Sequence, residues 1–198
     1  MLNFILIVFL LIVVLLLALP VAFSLGFTSL LLILFYDLPL KVIGATVFSS
    51  FDSFVILSVP LFILMSQVLL DGRIGDDLFD VMNTWVRHLP GGLAIATILA
   101  CAFFSAITGS GAATAATIGM VAYPAMIERG YEQKFTLGLL AAGGTLGILI
   151  PPSVPMIIYG SVTEESVGKL FIAGVIPGLV LSALFIVYAV LYSRRGGF

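Results

Sequence analysis

The sequence predicts an all-α integral membrane protein, made of transmembrane helices with one re-entrant helical hairpin and one discontinuous helix. Three observations carry that prediction. Of 198 residues, 62% are hydrophobic and 9% charged, and the mean hydropathy is +1.29. A soluble domain has roughly 25% charged residues, so lipid has to be the solvent for most of this surface. The other two observations are long apolar blocks with internal breaks. Residues 91–127 are split by Thr108-Gly109-Ser110-Gly111, and residues 135–162 by Pro151-Pro152-Ser153-Val154-Pro155.

The same composition excludes several functions. A net charge of −2 leaves no basic face for nucleic acid. The single cysteine, Cys101, lies in an apolar run and reads as a small buried hydrophobe. The single histidine, His88, sits beside Arg87 in a polar loop and cannot build a metal site or a relay alone.

The first apolar block, residues 2–36, is too long for one span of roughly 20 residues. Pro20 divides it into spans at 3–19 and 20–36, joined by a tight turn. No Lys or Arg precedes the first span, which therefore reads as a retained helix and not a secretory signal. Residues 38–51, with Leu38, Leu40, Val42, Ile43 and Val47, suggest a short interfacial helix. Residues 52–70 form the third span, with Pro60 inside it; membrane helices tolerate such a proline when neighbours satisfy the freed carbonyl.

Residues 71–89 are the most polar stretch. Leu78, Val81, Met82, Trp85 and Val86 recur at three- and four-residue steps, the signature of an amphipathic surface helix with a tryptophan at headgroup level. Asp71, Asp76, Asp77 and Asp80 read as a solvated, helix-starting face and not a metal site.

The two arms of 91–127 have about 16–17 residues each, roughly 25 Å of helix against a hydrocarbon core near 30 Å. They are rich in Ala, Gly and Thr, which suits close helix packing. The block reads as a re-entrant hairpin whose tip stops inside the membrane. Pro151 and Pro152 remove two adjacent backbone donors, so residues 135–162 form a discontinuous helix. A last span covers 170–192 and ends in Arg194-Arg195. With the hairpin returning to its own side, Arg73, Arg87, Arg129, Lys134, Arg194 and Arg195 share one face, and Lys41 and Lys169 the other. Six basic residues against two make the first face cytoplasmic, with the N-terminus outside and the C-terminus inside.

The two breaks carry the chemistry. Unwound backbone at membrane depth is prohibitive unless it lines a cavity or binds something. Half-helix C-termini and free carbonyls suit Na⁺, and half-helix N-termini attract a carboxylate. The candidate ion-binding residues are Ser105, Thr108, Gly109, Ser110, Gly111, Gly147, Pro151 and Pro152; the candidate substrate-binding residues are Thr114, Thr117, Thr145 and Ser153. No carboxylate falls in either break, which favours Na⁺ over H⁺. Against this stands the ordinary reading that Gly/Ser/Thr motifs serve helix packing, as in a non-transporting scaffold or channel-like module. An intramembrane serine protease with Ser110 as nucleophile would need a base within reach, and His88 lies in a surface loop.

At these residues the chain resembles the large permease subunit of the tripartite ATP-independent periplasmic (TRAP) transporters. The matching stretches run in order. They are Pro20-Val21-Ala22, Ser58-Val59-Pro60-Leu61-Phe62, Pro90-Gly91-Gly92-Leu93-Ala94, Thr108-Gly109-Ser110-Gly111-Ala112, Arg129-Gly130-Tyr131, Ile150-Pro151-Pro152-Ser153 and Ala173-Gly174-Val175-Ile176-Pro177-Gly178. The resemblance implies one inverted repeat of an elevator-type carrier and Na⁺-coupled import of a small organic acid such as a C4-dicarboxylate or sialic acid. It also implies a periplasmic substrate-binding protein and a small Q-type membrane subunit as partners, in the bacterial inner membrane. On that scheme residues 1–70 are scaffold-like, 71–90 the surface helix, 91–165 the transport-type region and 166–198 the terminal helix. Two departures stand out: Thr108 replaces the usual serine at the start of the tip, and the family subunit is about twice this long. The chain is thus expected to hold the first of two repeats, its second half being truncated, a separate chain or a second copy.

Overall fold

The computed structural model describes residues 2–17 and 19–196, with side chains except those of 2–5, 54, 195 and 196. Ala18, inside the first expected span, and the Arg195 side chain lie outside that description. All secondary structure among the described residues is helical.

The chain divides into two compact units between Asp52 and Ser53. The first contains α1 (Leu2–Leu16), α2 (Val21–Phe35) and α3 (Lys41–Phe51). Pro20 ends the first turnover of the chain in an extended conformation, φ −54° and ψ 140°, and α2 starts immediately after it. Helices α1 and α2 pack together, with Val14, Ser24 and Thr28 buried. The Thr28 hydroxyl is satisfied within its own helix, donating to the Ser24 carbonyl at 2.8 Å. Most large apolar side chains of α1 and α2, including Phe9, Leu16 and Phe23, face outward, as a lipid-facing helix requires.

The second unit holds α4 (Phe54–Asp71), α5 (Ile74–Val86), α6 (Gly92–Thr108), α7 (Gly111–Glu128), α8 (Gln133–Leu149), α9 (Val154–Thr163) and α10 (Val167–Gly196). Its centre is α6. Ala94, Ala96, Ile98, Ala100, Cys101 and Phe104 are fully buried, and α5, α7, α8 and α10 pack around them. Among the described residues two stretches are long and apolar enough to cross a membrane, Gln133–Thr163, which contains the proline break, and Val167–Arg194, or three if the bent pair α3 and α4 is one span.

The apolar face of α5 differs from the sequence reading. Gly75, Phe79 and Met82 are its buried residues, whereas Val81 and Trp85 are exposed. The helix rests on α6 and α7, and only a small residue fits at 75, because a Cβ there would collide with Thr117 Cγ2. The periodicity registered both apolar flanks of α5 but could not say which one meets protein.

Candidate functional site

The expected breaks fall at Gly109–Ser110 and at residues 150–153. Gly109 caps α6 in the left-handed region, φ +61° and ψ 14°, and Ser110 follows in an extended conformation. That pair reverses the chain within two residues, and the left-handed position favours glycine. The second break follows from missing donors. Residues 151 and 152 have no N–H, so the carbonyls of Gly147 and Ile148 lose their helical partners. The Ser153 hydroxyl substitutes at Ile148, donating at 2.7 Å, while the Gly147 carbonyl gains no such substitute from the sequence.

The two breaks meet. The Val154 N–H donates to the Gly109 carbonyl at 3.4 Å. A Cβ on Gly109 would lie 2.8 Å from the Pro152 carbonyl oxygen and 3.4 Å from Ser153 Cα. One turn away, a Cβ on Gly147 would lie 2.6 Å from the Gly111 nitrogen, and one on Gly111 would collide with the Gly144 carbonyl. Gly143 presses equally closely on Cys101, 2.7 Å from Sγ to its Cβ position. Three glycines on α8 thus let its backbone sit directly on both hairpin arms, the close approach that small residues allow in membrane helices. Cys101 is here the small buried hydrophobe its sequence context suggested.

A hydroxyl network fills the tip. Thr114 Oγ1 donates to the Ser110 carbonyl at 2.9 Å and accepts from Ser105 Oγ at 3.2 Å. Thr108 Oγ1 donates to the Phe104 carbonyl at 3.0 Å and lies 3.3 Å from Thr114 Oγ1. Ser110 Oγ caps α7 by accepting from the Ala113 N–H at 3.4 Å. Ser105, Thr108 and Thr114 are all buried. No residue of 105–117 or 143–153 is titratable, so the arrangement offers only dipoles: carbonyls from the ends of α6 and α8, and N–H groups from the starts of α7 and α9. Such a set can coordinate a hard cation and hold an anion without proton chemistry.

The depth of this crossing can be measured against α10. Gly91 touches Ser193, and the Tyr192 hydroxyl donates to Glu132 Oε2 at 2.7 Å, so α6 and α8 both start at the Tyr192–Ser193 level. At the other end, Gly174 packs on the Leu149 carbonyl and Gly178 on Ile150. The break, facing Gly174 to Gly178, therefore sits about 24–30 Å along α10 from Arg194 and about 10–16 Å from Val167. Helices α6 and α8 are each 17 residues long and stop short of the far end of α10.

Not every candidate comes to the crossing. Thr117 lies lower on α7, packed on Gly75 in a cavity of about 580 Å³ shared with Asp71, Arg73 and Asp76. Thr145 is exposed on α8, its hydroxyl donating to the Ala142 carbonyl at 2.6 Å. One residue was missed. Ser66 of α4 is 7% exposed; its hydroxyl lies 2.9 Å from the Thr108 carbonyl and 2.8 Å from that of Phe62, a bifurcated donor. A serine in an otherwise apolar part of α4 was the available signal. The stack of Phe135 on Tyr192, 3.9 Å between centroids, was likewise invisible before the helices were placed.

The family described as the tripartite ATP-independent periplasmic transporter, DctM component, matches residues 8–198. The chain belongs to the DctM family. Among its relatives, the C4-dicarboxylate TRAP transporter large permease protein of Pseudomonas aeruginosa is 41% identical over 172 residues, covering 86% of this chain and 40% of the relative. The isethionate TRAP transporter permease protein DctMQ of Oleidesulfovibrio alaskensis is 40% identical over 179 residues, covering 90% of this chain and 28% of the relative. The ectoine/5-hydroxyectoine TRAP transporter large permease protein of Ruegeria pomeroyi is 41% identical over 140 residues, covering 71% of this chain and 33% of the relative. This DctM chain thus spans between about a quarter and two fifths of the length of these relatives.

Proposed function

We propose that this chain supplies the first repeat of a Na⁺-coupled importer of a small organic acid, such as a C4-dicarboxylate or sialic acid. In this reading α6 and α7 are a re-entrant hairpin, α8 and α9 a discontinuous span, and Na⁺ binds among the carbonyls where the two breaks meet. The observation that carries it is that meeting: Gly109 against Pro152 and Val154, with oxygen dipoles and no titratable group. Helices of 17 residues, about 25 Å long, support a tip that ends inside a hydrocarbon core near 30 Å. Family membership supports the transport reading.

Substrate lies between this repeat and a second one, reached by elevator-like movement of residues 91–165 against a scaffold formed by the first helices. Thr145, exposed on α8 beside the crossing, faces that partner. The three relatives are named for three different substrates, which fits a shared region that handles the ion while other parts choose the cargo. A periplasmic binding protein delivers substrate and a small Q-type subunit accompanies the permease; the relative named DctMQ supports the latter. Arg87, Arg129, Lys134 and Arg194 face the cytoplasm of the inner membrane, and the N-terminus the periplasm; Arg73, grouped with them from the sequence, instead opens α5 a helix length from Arg87, where Gly75 meets Thr117 and Phe104.

The test is uptake into proteoliposomes containing the complete permease complex and its binding protein. Uptake is expected to require an inward Na⁺ gradient and to collapse when choline replaces Na⁺. Undiminished uptake in choline would sink the coupling.

A further inference from the structure

A second polar site lies at the opposite end of α6 from the tip. The loop that precedes α6 and the loop that follows α7 enclose a cavity of about 170 Å³, lined among others by Arg87, Leu89, Pro90, Gly91 and Arg129. Two arginines from different loops line it, and no carboxylate does. Neither arginine has an ion-pair or hydrogen-bond partner among the described residues. The nearby Glu132 is engaged elsewhere, accepting from Tyr192. Two unpaired cations facing one small space repel each other unless an anion lies between them.

Two further features point the same way. Gly91 opens α6 in the left-handed region, φ +74°, so the positive end of a 17-residue helix faces the cavity. The rim is apolar as well as basic: Leu89, which lines the cavity, is 42% exposed, and Trp85, one turn earlier, is 64% exposed. An exposed tryptophan within two residues of a pocket-lining arginine is the mark of the headgroup layer.

We propose that this cavity binds the phosphate of a membrane phospholipid, held by the forks of Arg87 and Arg129, with the acyl chains running past Leu89 and Trp85. Arginine is suited to this because its planar fork matches two phosphate oxygens. The volume accommodates a phosphate with a few waters at about 30 Å³ each.

The experiment uses the complete permease, purified in maltoside detergent without phosphate. Its melting temperature is followed as phosphatidylglycerol, diacylglycerol of the same acyl chains, or inorganic phosphate is added. Phosphatidylglycerol is expected to raise the midpoint by about 4 °C through preferential binding to the native state, and diacylglycerol to leave it unchanged. The gain should vanish in R87Q/R129Q and persist in R73Q, which alters the separate cavity at the start of α5. If the double variant does not fold, R87K and R129K separately, which keep charge and lose the fork, should each show a reduced gain. Equal stabilisation by inorganic phosphate overturns the lipid source and assigns the site to a soluble anion. No response to phosphatidylglycerol, an equal response to diacylglycerol, or an undiminished response in R87Q/R129Q overturns the site itself.

Discussion

Gly147 shows how a single hydrogen atom can hold a site open. A methyl group there would stand 2.6 Å from the Gly111 nitrogen, backbone against backbone, with no flexible side chain to give way. Gly147→Ala is expected to cost about 1–3 kcal/mol as an overpacking change and to weaken Na⁺ dependence by displacing the tip. Gly138→Ala is the matched control on the same helix, because nothing lies within 4 Å of its Cβ position. It is expected to be neutral or to stabilise by up to about 1 kcal/mol. Thermal unfolding of the two variants checks this, and equal midpoints would refute the close packing. The glycines at 109 and 111 were legible in the sequence because they sit in a break. Gly147 was named with them, whereas Gly143 and Gly144 announced themselves less, since their work depends on which helix lies opposite. Ser66 was illegible for the same reason: its partner, the Thr108 carbonyl, is 42 residues away.

At the scale of the element, almost every helix was readable, because hydropathy and proline each act locally. Pro20, the tip glycines and the paired prolines mark three interruptions, and helices end beside each of them. The face of α5 was not readable, since both flanks are apolar and only the packing of Phe79 and Met82 on α6 and α7 distinguishes them. The second break yields a specific prediction. Pro152→Ala returns an N–H that can bond the Ile148 carbonyl, in competition with the Ser153 hydroxyl, and lets α8 wind on toward α9. The expected result is a raised Na⁺ requirement for half-maximal uptake, by about tenfold or about 1.4 kcal/mol, with the complex still folded. An unchanged Na⁺ titration would remove the break from the ion site.

At the scale of the molecule, Arg87, Arg129, Lys134 and Arg194 fall beside helix ends that lie at one level. The start of α6, the start of α8 and the end of α10 lie together through the Gly91–Ser193 and Glu132–Tyr192 contacts. Lys169 is near the other end of α10. The proposed orientation is checked with single cysteines placed at Arg129 and Glu164 in a Cys101→Ala background. On intact cells a membrane-impermeant maleimide is expected to label position 164, and position 129 only after permeabilisation; the reverse pattern would invert the topology. One bond then bears on the proposed elevator-like movement. The Ser66 hydroxyl rivets α4 to the last carbonyl of α6. A hairpin that slides past α4 must shear that rivet on every stroke and close it again on the return. A hairpin that carries α4 along leaves it intact, and in the proposed movement α4 then belongs with the moving part.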